Sequence, residues 1–172
     1  CRDDTLPEVA PVKAIPVEAP KGTLSERYST PVTVRQALPV KEILHTPAGE
    51  TVIDVGQNMT GIFRLRVKEP KGTQIHLQFG EILQDGYFYR DNLRTAKAEY
   101  IYISDGVPHV LEPKFTFYGF RYVKVQGISH LNAEDFTALV LHSELPRAGF
   151  LETGNPLVNQ LLSNIQWGQI AN

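Results

Sequence analysis

The sequence predicts an all-β fold: an antiparallel two-sheet β-sandwich or jelly roll, followed by a C-terminal α-helix. Three observations carry this. About eight or nine short apolar runs recur at near-regular spacing, with turn residues between them. In the clearest of them apolar and polar residues alternate. Phe63, Leu65 and Val67 alternate with Arg64, Arg66 and Lys68, and Ile75, Leu77 and Phe79 with Gln74, His76 and Gln78. A two-residue period gives a strand one face for a core and one for water. After Thr153 the period becomes helical. The two alternating runs flank Glu69-Pro70-Lys71-Gly72, which reads as a turn, so they are expected to form a β-hairpin that the other strands extend and cover.

The bulk composition narrows the class. At 172 residues the chain is one domain, or one domain with a fragment of another. Such a chain buries roughly two-thirds of its unfolded surface and needs no staples. Hydrophobic residues make up 42% and charged residues 21%, as in ordinary globular proteins. A net charge of −2 gives no electrostatic case for nucleic acid or for an anionic membrane. Cys1 is the sole cysteine, so no internal disulfide forms. No apolar run approaches the ~20 residues of a membrane helix, and none resembles a signal peptide.

Taken in order, residues 1–31 differ in kind from the rest. Pro7, Pro11, Pro16, Pro20 and Pro31 forbid a regular helix and confine any strand to an edge. Residues 9–17 have the composition of a short edge strand. The whole segment reads as a linker or the tail of a preceding domain. Residues 32–153 are the sandwich. Residues 32–38 and 40–45 are strands broken at Pro39, residues 47–50 a turn, and residues 51–55 another strand. Gly56-Gln57-Asn58, with Gly61 close behind, signals a bulge or tight loop. Beyond Leu83, Gln84-Asp85-Gly86 is a turn. Residues 87–97 are aromatic and charged without a period, hence a long loop. Residues 98–103 are apolar on both faces and therefore central. Residues 115–125 form the most aromatic strand, with its alternation slipping at Arg121 near Gly119. Residues 135–142 and 149–153 supply the last strands. Residues 154–172 open a helix, with Asn155 as N-cap, Pro156 in the first turn, and Leu157, Leu161, Leu162 and Ile165 at helical spacing. That helix is expected to run through Asn172. Its apolar stripe needs a partner, which implies a polypeptide continuing into a helical domain.

For chemistry, the sequence offers little in the way of a metal or nucleophile. His45, His76, His109, His130 and His142 form no close pair and Cys1 is remote from them, so no metal site is expected. No serine is flanked as in a nucleophile elbow. Carboxylates are plentiful (Asp54, Glu81, Asp85, Asp91, Glu99, Glu144, Glu152), but glycoside hydrolysis needs two at a defined separation, which sequence does not show. No cofactor is expected. Calcium, held by Asp85 beside Gly86 and by Asn92, stays open, although no run of alternating oxygen ligands appears. Tyr87, Tyr89, Asn92 and Arg94 are the best site candidates. Their flat rings, amide and guanidinium suit stacking on a sugar face and hydrogen bonding to its hydroxyls. The competing reading is that the tyrosines pin the loop and Arg94 pairs with a carboxylate. Trp167 is a further sugar-site candidate, set against packing into a helical domain.

Several stretches resemble one family. Residues 54–67 (DVGQNMTGIFRLRV) closely resemble the D-(F/L/V)-G-Q-N-M-x-G segment of bacterial α-L-rhamnosidases. Glu81-Ile82-Leu83, Tyr89 and Asn92-Leu93-Arg94-x-Ala96-x-Ala98 are similar to the family's E-x-L…N-L-R-x-A-x-A stretch. Phe115-x-Phe117-x-Gly119-Phe120-Arg121-Tyr122 looks like its F-T-F-H-G-F-R-Y strand, with Tyr118 where the family more often has His. Residues 141–151 and 155–161 resemble its passage into the catalytic domain. The resemblance implies a concanavalin-like β-sandwich that precedes an (α/α)₆ barrel, the barrel carrying both carboxylates of an inverting hydrolysis. On that reading no catalytic residue lies in this chain. It is a non-catalytic support for the barrel of the same polypeptide, and the whole protein is a glycosidase acting on terminal α-L-rhamnosides. The alternative is a carbohydrate-binding module for rhamnose or a related sugar. A third reading is a self-contained sandwich enzyme using Glu81 and a partner carboxylate. Bacterial cytoplasm and periplasm or secretion are all left open.

Overall fold

The structure is a computed structural model and describes residues 1–171. Its strands are β1 (Arg2–Asp3), β2 (Val32–Pro39), β3 (Glu42–His45), β4 (Thr51–Val67), β5 (Gln74–Gly80), β6 (Ile82–Gln84), β7 (Tyr87–Tyr89), β8 (Glu99–Ile103), β9 (His109–Leu111), β10 (Tyr118–Gln126) and β11 (Phe136–Ser143). One helix, α1 (Pro156–Ile170), follows, and two short 3₁₀ turns span Asp91–Leu93 and Ala133–Asp135.

Nine strands form one sheet, ordered β1-β8-β5-β10-β4-β11-β2, with β3 and β9 also paired to β4. β6 and β7 make a separate hairpin. The two layers of the sandwich come from the large sheet curling over itself. β4 and β8 are three strand spacings apart, about 14 Å on a flat sheet. The Phe63 ring of β4 nevertheless lies 5.2 Å from that of Tyr100 on β8, and 5.6 Å from that of Phe79 on β5. Phe136 of β11 stacks on Phe63 from the other side at 5.8 Å. Both alternating runs thus point inward as their period requires, and Phe63, Leu65, Ile75, Leu77 and Phe79 are wholly buried. Each such side chain contributes about 1.5–3 kcal/mol.

The expected hairpin between those runs is not what forms. β10 lies between β5 and β4, and the 69–72 turn carries the chain from one layer to the other as an arch. The reason is in the turn itself. Glu69 is buried, its carboxylate accepting from the backbone N–H and hydroxyl of Ser129, while its carbonyl accepts from Ser104 Oγ at 2.7 Å. These bonds anchor the crossing to two other loops.

Other boundaries shift for local reasons. Residues 9–17 form no strand and are exposed, since Pro11 and Pro16 remove ladder donors, whereas Arg2–Asp3 pairs in parallel with Tyr102–Ile103. Residues 87–97 are more ordered than a long loop. Asp85 and Gly86 both have positive φ (51° and 81°), the requirement of a type I′ turn, and so fold residues 82–89 into a tight hairpin. Phe115 adopts φ 61°, which delays β10 to Tyr118 and leaves Phe115 and Phe117 exposed. Tyr118 turns inward, stacked 4.1 Å from Phe79, with its hydroxyl donating to the Glu99 carbonyl. Residues 149–153 form no strand, because β4 and β2 already fill both edges of β11.

α1 begins as its sequence requires, with the Asn155 side chain accepting from Leu157 N–H and Pro156 at its start. It ends at Ile170, where Ala171 N–H donates to the Trp167 carbonyl; Asn172 lies outside the described residues. No residue of α1 is buried.

Candidate functional site

The motif stretches converge on a bulge in β4. Opposite β10, Asp54 pairs with Tyr122 and Met59 with Phe120, so four residues, 55–58, face Arg121 alone. Gly56 takes φ 79° to begin the excursion, a conformation few other residues hold cheaply. Gly61 is required for a different reason. A Cβ there would sit 2.0 Å from the Leu139 carbonyl oxygen of the neighbouring β11. The slip in alternation at Arg121 and the Gly-Gln-Asn interruption are therefore two sides of one irregularity.

Asp54 locks this bulge. Its buried carboxylate accepts from Arg121 Nε and Nη2 at 2.9 and 2.8 Å, a bidentate pair, and from Gly56 N–H at 2.6 Å. Burial by itself would raise the Asp54 pKa. Hydrogen bonds from Arg121 and Gly56, and the charges of Arg121 and Lys41, outweigh burial and hold it below its ordinary value. The Arg121 guanidinium also lies 5.0 Å from the Tyr122 ring centroid.

The bulge pushes Gln57 and Asn58 outward, with Gln57 Nε2 donating to the Asn58 carbonyl. Glu81, between β5 and β6, accepts from Asn92 Nδ2 at 2.8 Å and lies 3.5 Å from Asn58 Nδ2. Segments near 58, 81, 92 and 119 thus meet on one exposed polar face, with Gly119 beside the Glu81 carboxylate. Asn92 is the one sugar-site candidate whose bonding partner at this cluster is defined. Tyr87 is exposed and Tyr89 half-buried on the β6–β7 hairpin, and Arg94 is exposed at φ 56°. Asp85 serves the hairpin turn. Trp167 is elsewhere. It packs against the sandwich core and lines a groove of about 550 Å³ with Leu145, Arg147 and Gln166. Asn58 and the Asp54–Arg121 pair were not singled out as site residues. The signal for them was the coincidence of a parity break at 121 with a glycine-rich interruption at 56.

As chemistry, this face offers amide and carboxylate groups for hydrogen bonding. Both carboxylates at the bulge are held by donors. A second groove, of about 400 Å³, contains Glu69 and Asp135, and these too are committed, to Ser129 and to the Asn132 cap.

Comparison with known proteins agrees with this geometry. Residues 44–142, more than half of the chain, match the model of the bacterial alpha-L-rhamnosidase concanavalin-like domain. An alpha-L-rhamnosidase of Streptomyces avermitilis is 41% identical over 145 residues, covering 83% of this chain and 14% of its own length. A crystal structure of the Streptomyces avermitilis enzyme, complexed with L-rhamnose, superposes with a TM-score of 0.79 at 40% identity, over 84% of this chain and 14% of that one. The native enzyme from Aspergillus terreus superposes with a TM-score of 0.77 at 37% identity, over 80% of this chain and 16% of its own. The chain therefore spans only a small part of the relatives it matches. The family-model match over more than half of the chain, with these relatives beside it, shows that the chain belongs to the family of bacterial α-L-rhamnosidase concanavalin-like domains.

Proposed function

We propose that this chain is the non-catalytic β-sandwich of a longer α-L-rhamnosidase, an inverting glycosidase of terminal α-L-rhamnosides, and that it braces that enzyme's helical catalytic barrel. The observation that carries this is the outer face of α1. Leu157, Leu161 and Ile165 are 79%, 57% and 55% exposed, and Phe150 beside them is 80% exposed. On its inner side the helix is fixed to the sandwich by Trp167 and by the Thr60 hydroxyl, which donates to the Ala171 carbonyl at 2.7 Å. A helix anchored on one side and apolar on the other is suited to lean on a second body. The test is to incubate the purified chain with an aryl α-L-rhamnoside. No turnover is expected; turnover lost in Glu81→Gln would overturn the proposal.

A second reading is sugar recognition by the β6–β7 hairpin, resting on the exposure of Tyr87 and Arg94 beside the Asn92–Glu81 pair. Calorimetric titration with L-rhamnose, with and without calcium, separates the two. Saturable heat that disappears in Tyr87→Ala would favour recognition over bracing.

A further inference from the structure

We propose that Asp4, Asp105 and His109 form a site for a divalent transition-metal ion, which fastens the N-terminal segment to the corner between β8 and β9. One ligand atom from each lies within 4.8 Å of the others. His109 Nε2 is 3.0 Å from both oxygens of Asp105 and 3.5 Å from Asp4 Oδ2. The three residues come from two distant segments, joined where Arg2–Asp3 pairs beside Tyr102.

Two buried polar atoms mark the place. Tyr102 is wholly buried, and its hydroxyl lies beside Asp4 without a hydrogen bond of good geometry among the described residues. Asp4 Oδ2 is also buried without a hydrogen bond of good geometry, with Arg2 Nη2 at 2.6 Å and His109 Nε2 at 3.5 Å. Buried polar atoms are rarely left this way, and an ion or ordered water is a common answer. The charge balance favours the ion. Two carboxylates against Arg2 leave one net negative charge when His109 is neutral.

The donor set selects the class of ion. An imidazole nitrogen with two carboxylates suits zinc and its neighbours, whereas calcium takes six or more oxygens. The surroundings supply orientation. Arg2 Nε donates to Asp4 Oδ1 at 2.8 Å and Val107 N–H to Asp105 Oδ1 at 3.0 Å, and the Tyr102 hydroxyl is available to a coordinated carboxylate or water.

The test is calorimetric titration of the EDTA-treated, dialysed chain with Zn²⁺, with Ca²⁺ as control. One saturable Zn²⁺ site is expected, weakened about 10-fold or more by His109→Gln and by Asp4→Asn, together with a zinc-dependent rise in melting temperature that EDTA reverses. Asp4 lies outside the sandwich core, so its variant reports on binding even if His109→Gln disturbs the corner. The absence of saturable Zn²⁺ binding, a Zn²⁺ affinity in both variants equal to that of the unsubstituted chain, or equal binding of Ca²⁺ would overturn the site.

Discussion

β4 and α1 are the two longest elements, and the chain treats them in opposite ways. β4 pairs in turn with β3, β10, β11 and β9, and its apolar side chains fill the core. α1 has 15 residues and buries none of them. The difference is not one of local quality, since α1 has a sound N-cap and β4 carries a four-residue irregularity. It lies in where the apolar surface is satisfied. The sheet closes on itself within this chain, while the helix holds an apolar stripe outward. Stability of the isolated chain should therefore reside in β4 and be nearly blind to the outer face of α1.

Four substitutions test that contrast. Phe63→Ala removes the ring against which Phe79, Tyr100 and Phe136 pack and should cost about 4 kcal/mol, read from urea unfolding. Asp54→Asn leaves Arg121 without its counter-charge; Arg121 is 32% exposed, so the cost should be near the lower end for such pairs, about 3 kcal/mol. The Asp54 pKa is lowered on folding, so its contribution is complete above the ordinary value of 3.8 and is lost as pH falls through the lower folded value. The gap between wild type and Asp54→Asn should accordingly stay flat above about pH 5 and narrow on acidification below about pH 4. Asn155→Ala should cost about 1 kcal/mol of helix stability, visible as fraying by hydrogen exchange. Leu161→Gln, on the outward stripe, should change the unfolding free energy by less than about 0.5 kcal/mol. A loss several times larger there would mean that the chain itself covers the helix, and the contrast would fail.

Much of the architecture was legible because alternation reports burial directly. Phe63, Leu65, Ile75, Leu77 and Phe79 face inward as their period demands. Asn155 caps the helix as its side chain dictates. Pairing was less legible. Period alone does not say which strand lies beside which, so two adjacent runs suggested a hairpin where β10 intervenes. The buried Glu69 that makes the crossing acquires its meaning only from Ser129, 60 residues away. β9, with three residues, is too short to show a period. At the candidate site, Asn92 was identifiable by chemical type, but its attachment to Glu81 depends on the tight 85–86 turn. The link between Asp54 and Arg121 spans 67 residues, and each end left only a local irregularity in the sequence.

The arch at 69–72 also dictates when the protein can fold during synthesis. Because β5 does not zip onto β4, the long strand leaves the ribosome with little to pair with except β3 on one short stretch. Its remaining neighbours, β9, β10 and β11, are completed only once Ser143 has emerged. Until then a nascent chain carries an open, apolar strand edge, the kind of surface that chaperones hold and that other copies can join. Loop closure over such separations makes the last steps slow, so the yield of soluble protein depends on how well that interval is protected.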